Sequence, residues 1–185
     1  MSADVDDRIL RATYDLLGER GLSALTVEAV AETAGVAKTT IYRRYRNRGD
    51  LATAAIARFD VDVDAAEREP HLRDALLAFL VAFGRKLERV GLDVLGAMLV
   101  ERDDSEILRL HRERVVDPHR ERMARIVRAA QERGEVRPDF DGLLAMELLV
   151  GSFFARHVAG RPMEVEEWAA QAVDLLWRGL GPEGS

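Results

Sequence analysis

Gly35 interrupts two stretches that would otherwise read as one helix, and this break constrains the fold more than any other feature of the chain. Before it, "VEAVAETA" places Val27, Val30 and Ala31 on one face, with Thr26 in position to cap the N-terminus. After it, a helix is expected from Lys38 to Tyr45, with Ile41 and Tyr45 four residues apart and facing inward. An earlier helix is expected from Asp6 to Arg20, carrying Ile9, Leu10, Tyr14, Leu16 and Leu17 at helical spacing and ending at Gly21. Asn47 can cap a fourth helix, with Asp50 three residues later in a capping-box-like arrangement. That helix is expected to reach Glu67 and to be closed by Pro70. Three short helices with a four-residue turn centred on Gly35 form a helix-turn-helix pattern. Its steep turn lets the third helix enter the DNA major groove while the second crosses the backbone.

The charge distribution agrees. The net charge is −6, yet residues 1–50 hold eight cations and eight acids, so the remainder, with 19 cations and 25 acids, carries the whole excess. Between Val36 and Arg48 stand Lys38, Arg43, Arg44, Arg46 and Arg48, with no acid among them. DNA affinity comes largely from Lys and Arg on phosphates, with hydroxyls and amides fixing register, and an acid on such a surface would repel the backbone. With Ile41 and Tyr45 turned inward, Thr39, Thr40, Tyr42, Arg43 and Arg44 are expected to face outward. Arg43 or Arg44 is then the natural reader of guanine O6 and N7.

The rest of the chain reads as helical throughout. A 48% hydrophobic fraction beside 32% charged residues indicates a globular protein, and only five prolines occur. With no cysteine, disulfides, thiolate zinc sites and cysteine catalysis are excluded. "MSADVDDRIL" lacks an apolar signal core, and "LLAMELLVGSFFA" is too short to span a bilayer, so a cytoplasmic protein without membrane contact is expected. Long helices are expected over "LRDALLAFLVAFGRKLERV", Leu143–Ala159 and Val165–Leu180, with a shorter one over "DVLGAMLVER". Ser105 to Arg133 should kink or break at Pro118. The fold class is thus all-α, about nine helices: an N-terminal three-helix DNA-binding domain over 1–49 and a C-terminal helical ligand-binding and dimerisation domain over 50–185.

The helix from Leu143 to Val158 has almost no polar face, and a helix apolar all round is buried all round. In a domain this small its outer side most simply meets a second copy, as a two-fold pair formed with Val165–Leu180. The expected homodimer interface is Leu143, Met146, Val150, Phe153, Phe154, Trp168, Leu175 and Leu176. Trp168 and Trp177, nine apart, should lie on opposite sides of their helix. A ligand cavity can be drawn from Phe79, Phe83, Met98, Met146, Phe153 and Phe154, with Arg102, His111, Glu147 and His157 to orient the occupant. The same Met and Phe residues could equally be plain core. His71, His111, His119 and His157 lack an i, i+4 pair, so no metal is expected, and no cofactor. Ser152 and His157 have no nucleophile elbow around them, so the chain is not expected to be an enzyme.

The stretch "TVEAVAETAGVAKTTIYRRYRNRGDL" resembles the DNA-binding segment of the TetR (tetracycline-repressor-like) transcriptional regulators. The matching positions are Thr26, Ala34, Gly35, Val36, Lys38, Thr40, Ile41, Tyr42, Arg44, Tyr45 and Arg48; Arg44 stands for the commoner His and Tyr45 for Phe. The resemblance covers about 45 residues well. It implies that Thr26, Lys38, Tyr42 and Arg48 hold phosphates while Thr39, Thr40, Arg43 and Arg44 lie nearest the bases. More loosely, "ERGEV" and "LLVGSFFARHVAG" resemble the C-terminal domain of one branch. The expected protein is a homodimeric repressor that binds double-stranded pseudo-palindromic operator DNA and is released by an unidentified small-molecule effector. An activator, a constitutive DNA-binding adaptor and a helical enzyme are the alternatives. Release would work through the fourth helix as a lever, with Phe59, Val61 and Val63 packing on the longer helices.

Overall fold

The computed structural model describes residues 2–59, 66, 68–92 and 105–180, all of whose regular structure is helical. The elements are α1 (Ser2–Arg20), α2 (Val27–Ala34), α3 (Lys38–Tyr42), α4 (Arg48–Arg58), α5 (Leu72–Val90), α6 (Glu106–His111), a π-helical turn (Arg112–Val116), α7 (Asp117–Glu132), α8 (Gly142–Val158) and α9 (Val165–Leu180). The expected helix over "DVLGAMLVER" and the lever residues Val61 and Val63 lie outside the described residues. The described chain divides into two compact units, one of Met1–Asp60 with Lys86–Pro118 and one of Val61–Arg85 with His119–Ser185.

In the first unit, α1 and α4 pack along their apolar faces: Ile9, Leu17, Leu51, Ala52, Ala55 and Ile56 are buried in one cluster with Leu25, Val30 and Ile41. Burying each such Leu or Ile side chain is worth about 1.5–3 kcal/mol. Gly18 allows the end of α5 to come close, because a Cβ there would stand 2.7 Å from the Arg89 carbonyl oxygen. α1 begins at Ser2 rather than Asp6, with Asp4 in its first turn, where a carboxylate meets the positive end of the helix dipole.

α4 ends at Arg58, well short of Glu67. Phe59 has left helical geometry (φ −111°, ψ 31°), and its ring is held by Tyr14 at 5.3 Å and by the Arg11 guanidinium 4.1 Å above it. Those contacts fix the direction in which the chain leaves α4. The break expected at Pro118 takes the form of the π turn just before it. Ser105 caps α6 by accepting the Leu108 N–H at 3.3 Å, and the Asp117 N–H bonds to Arg112 O, one residue wider than an α-helix allows. Proline has no N–H to close the next bond, so the irregular turn precedes it.

The second unit has Leu72, Leu76 and Leu80 of α5, Met123 and Val127 of α7, Ala145, Leu149 and Phe153 of α8, and Val165, Trp168 and Val173 of α9 in its interior. Glycines mark the tightest approaches: a Cβ on Gly84 would lie 2.7 Å from Val165, and one on Gly142 2.6 Å from Val127. Glu135 closes the start of α5 from a distance, accepting the Leu72 N–H at 2.9 Å, Arg133 Nε at 2.6 Å and the His71 ring at 3.2 Å. The Arg133 hydrogen bond above all holds its carboxyl down at a pKa of about 2.

Candidate nucleic-acid interface

α3 is only five residues long, too short to hold itself, and its geometry is set by what surrounds it. Thr26 Oγ1 accepts the Ala29 N–H at 3.1 Å and starts α2 as expected. At the other end Gly35 adopts the left-handed conformation (φ 62°, ψ 42°). Its N–H bonds to Glu32 O at 3.2 Å and the Val36 N–H to Ala31 O at 3.0 Å, the paired closing bonds of a Schellman cap. Arg8 reaches from α1 to donate to the carbonyls of Ala34 and Gly35, locking the turn. α3 then starts at Lys38 and stops at Tyr42, three residues earlier than the spacing predicts. Arg44 N–H and Tyr45 N–H both turn onto Ile41 O at 2.9 Å, which tightens the last turn.

Ile41 is fully buried and Tyr45 half-buried against the same core, where burial pushes the phenol pKa up. Outward stand Lys38, Thr39, Arg43 and Tyr42, the last 57% exposed despite its ring. Thr40 is half-buried. Lys38 is paired with Glu28 at 2.9 Å with both side chains more than half exposed, and this bond raises the Lys38 pKa and lowers that of Glu28. An exposed pair of this kind is weak because water screens it, so phosphate can compete for the ammonium. Arg48 lies exposed beside the turn and donates to Ser23 O at 3.3 Å.

Arg44 departs from expectation. Its side chain is only 21% exposed, its Nε donates to Asp6 Oδ1 at 2.5 Å and its Nη1 to Thr40 O at 3.2 Å. The guanidinium is therefore spent on joining α3 to α1, and Arg43 is left as the outward arginine of this helix. Asp50 also differs in detail. Asn47 Oδ1 accepts the Asp50 N–H at 2.9 Å as the cap requires, but Asp50 Oδ2 accepts from Arg46 N–H at 2.9 Å rather than from Asn47. Asp6, Arg8 and the Asp50 partner Arg114 were not read as functional from sequence. Their partners lie 26 to 64 residues away, and only the acids of α1 opposite a basic segment hinted at one of them.

The C-terminal candidates separate into groups. Phe79, Phe83, Phe153 and Phe154 form one aromatic cluster, with Phe79–Phe83 stacked at 6.1 Å and Phe153–Phe154 edge-on at 5.9 Å. Met146 is half-buried on α8, whereas Glu147 and His157 are exposed on it, Glu147 3.5 Å from Arg120. His111 belongs to the first unit, and Met98 and Arg102 lie outside the described residues.

Of the expected interface residues, Phe153 and Trp168 turn inward instead, edge-on to each other at 5.1 Å and both buried. Trp168 Nε1 donates to Ser152 Oγ at 2.9 Å. Val150, Phe154, Leu176 and Trp177 are half-buried, while Leu143 and Leu175 are exposed. The buried stripe of α8 is Ala145, Leu149, Phe153, and the opposite one is Leu144, Leu148, Gly151, Ala155, Val158, apolar and solvent-facing at helical spacing. Leu144, Leu148 and Val158 are additions to the expected set.

Among the described residues no helix is long and apolar enough to cross a membrane, and no three metal-ligating side chains converge.

A helix-turn-helix whose third helix and exit carry five cations and no acid between Val36 and Arg48, borne by an all-helical chain, points to a DNA-binding transcription regulator, and comparison with known proteins agrees. Residues 9–55 match the family described as "Bacterial regulatory proteins, tetR family", and residues 68–176 match "Tetracyclin repressor-like, C-terminal domain". The HTH-type transcriptional regulator YdeS of Bacillus subtilis (strain 168) is 29% identical over 155 residues, covering 80% of this chain and 75% of that one. The DNA-binding transcriptional repressor TetR of Mycobacteroides abscessus is 27% identical over 161 residues, 84% and 83% of the two chains. A crystal structure of a TetR family transcription regulator superposes with a TM-score of 0.72 at 29% identity, covering 97% of this chain and 100% of the other. The chain belongs to the TetR family of transcriptional regulators.

Proposed function

We propose that the protein is a homodimeric repressor that binds a pseudo-palindromic operator through α3 and is released by a small molecule held in its C-terminal part. The observation that carries the DNA reading is the outer face of α3: Lys38, Thr39, Tyr42 and Arg43 exposed together, with Arg48 beside them and no acid between Val36 and Arg48. On this reading Lys38, Tyr42, Arg48 and Thr26 meet phosphates. Thr39, Thr40 and Arg43 lie nearest the bases, and Arg43 takes the guanine contact in place of Arg44. The helix-turn-helix part is assigned to 1–49 and the dimer and effector part to 50–185. Repression is supported by the relative named as a DNA-binding repressor, and effector control by the aromatic cluster of Phe79, Phe83, Phe153 and Phe154. A cytoplasmic location follows from the DNA reading.

The dimer reading rests on the apolar outer stripe of α8. Leu148 and Val158 are 58% and 87% exposed and Leu175 of α9 is 77% exposed, an apolar surface that a second copy would cover. Two copies would place their recognition helices about one DNA turn (34–36 Å) or a multiple apart, hence the pseudo-palindrome.

The test is selection of bound sequences from a random duplex pool, followed by titration of the selected duplex at several salt concentrations. The expected result is an enriched two-fold-symmetric sequence whose affinity falls by nearly one log unit per log salt for each phosphate contacted. No enrichment, or affinity independent of salt, would remove DNA binding from this face. A compound screen for release of that duplex then tests effector control.

A further inference from the structure

Asp50 is the one charged side chain among the described residues that is buried, at 5% exposure, and its carboxylate meets both the exit of the recognition segment, four residues back, and Arg114, 64 residues on. Oδ2 accepts the Arg46 N–H at 2.9 Å, one residue beyond Tyr45 and so at the exit of the recognition segment. Oδ1 lies 2.8 Å from Arg114 Nη1, which also donates to the Asp50 carbonyl at 3.3 Å. A second link runs parallel to this one: Asn47 Nδ2 donates to Glu106 Oε2 at 3.0 Å, and the Arg46 guanidinium stands 3.7 Å from the same carboxylate. Arg114 occupies the middle of the π turn Arg112–Val116.

A buried carboxylate that loses its cation is left uncompensated in a poorly hydrated place, and this is strongly destabilising. Asp50 therefore tolerates only arrangements in which Arg114 stays opposite it. A π turn holds one residue more than the α-helical turn it replaces, and its register decides where Arg114 points. We infer that Asp50 is a positioning residue that ties the exit of the recognition helix to the π turn, so that the arrangement of 112–116 and the DNA-binding state of α3 are energetically coupled. The inference rests on the DNA reading above and names the residue through which another segment acts on that surface. Coupling is reciprocal: DNA bound at α3 must bias the π turn as much as the π turn biases DNA binding.

The experiment uses the full chain and the duplex selected from the random pool, with no effector. Amide hydrogen exchange is measured with and without duplex for wild type, Asp50→Asn and Arg114→Lys. Asparagine keeps an acceptor for the Arg46 N–H and loses the charge; lysine keeps the charge and loses the planar guanidinium whose Nη1 meets both the Asp50 carboxylate and the Asp50 carbonyl. In wild type, duplex should slow exchange in 106–116 about fivefold or more, the lower end of typical coupling. In both variants that slowing should fall to less than half while α1 and α2 remain protected. A merely structural role would speed exchange everywhere and leave the duplex-dependent difference intact, which overturns the inference. If Asp50→Asn does not fold, Arg114→Lys decides alone. A wild type that binds duplex with unchanged exchange in 106–116 overturns the inference only. A wild type that selects no duplex overturns the DNA reading and the inference together.

Discussion

Among the described residues α3 and α8 each present a largely exposed face, and they do so by opposite chemistry. α3 is short and is positioned by polar links from elsewhere: Arg8 on the turn before it, Asp6 on Arg44, Asp50 on the exit at Arg46. Its outer side is polar and cationic, so it is at ease in water and loses nothing by standing unoccupied. α8 has 17 residues and is held by Ala145, Leu149 and Phe153 packed inward. Its outer side is leucine and valine, for which exposure to water costs free energy. The difference sets the kind of partner each face can take. A hydrated cationic surface gains from a polyanion by releasing counterions, whereas an apolar stripe gains from any surface that removes it from water.

The largest effect expected from breaking this contrast is to give α8 the chemistry of α3. Leu148→Glu leaves the separate chain folded, because position 148 already faces solvent. In a dimer it would bury an unpaired carboxylate at a cost of about 3–5 kcal/mol. Sedimentation of wild type at micromolar concentration should give a dimer and of the variant a monomer. A wild-type monomer, or a variant that still dimerises with wild-type affinity, would assign the α8 face to something other than a second copy.

Next in size is the division of labour between the adjacent arginines. Arg43→Ala should cost about 1–3 kcal/mol on the selected duplex and little on an unrelated one, as loss of a base contact does. Arg44→Ala should weaken both duplexes alike and lower the melting temperature, since it frees Asp6 and loosens α3 from α1. The reverse pattern would return the base-reading role to Arg44.

This pair also shows what was legible in the sequence. The caps at Thr26 and Asn47 and the glycine turn could be read because each is decided within four residues. The inward turn of Arg44 could not, because Asp6 lies 38 residues away and α3 has too few residues for its phase to be certain. On α8 the obstacle was different. With apolar residues on every side, its sequence has no contrast from which to tell inner from outer, so nothing in it marks Phe153 as inward or Leu144 and Leu148 as outward. The end of α4 at Arg58 was hidden for the same reason as Arg44: the ring of Phe59 is fixed by Arg11 and Tyr14 of another helix. Pro118 announced an irregularity but not that it would be a π turn lying before the proline.

A smaller effect separates the polar links of the second unit from its apolar ones. Glu135 has its carboxyl held down at a pKa of about 2, chiefly by Arg133, while it caps α5 at Leu72. Its folded pKa lies below the unfolded value of 4.5, so its contribution is complete above that value and is lost as the pH falls through about 2. Glu135→Gln should cost about 1–2 kcal/mol at pH 7 and progressively less from pH 4 to pH 2, read from denaturant midpoints at each pH. A constant difference across that range would mean that the side chain acts by shape and not by charge.

The finest test lies in the middle of the apolar stripe, at Gly151. A Cβ there meets no atom within 4 Å, and a glycine inside a helix is about 1 kcal/mol less favourable than alanine. For the single chain, Gly151→Ala should therefore raise stability. If a second copy packs along Leu144, Leu148, Gly151, Ala155 and Val158, however, the missing side chain is what lets the two backbones approach, and the added methyl pushes them apart. The two influences can be separated by making the change in wild type and in the monomeric Leu148→Glu chain. The expected outcome is a rise of a few degrees in the melting temperature of the monomeric background, consistent with about 1 kcal/mol in a chain of this size. In wild type the same change should weaken association, seen as a dimer dissociation constant raised about fivefold, equivalent to roughly 1 kcal/mol. A stabilising effect of equal size in both backgrounds would show that no second backbone lies against Gly151, and the apolar stripe would then be covered, if at all, only at its leucines.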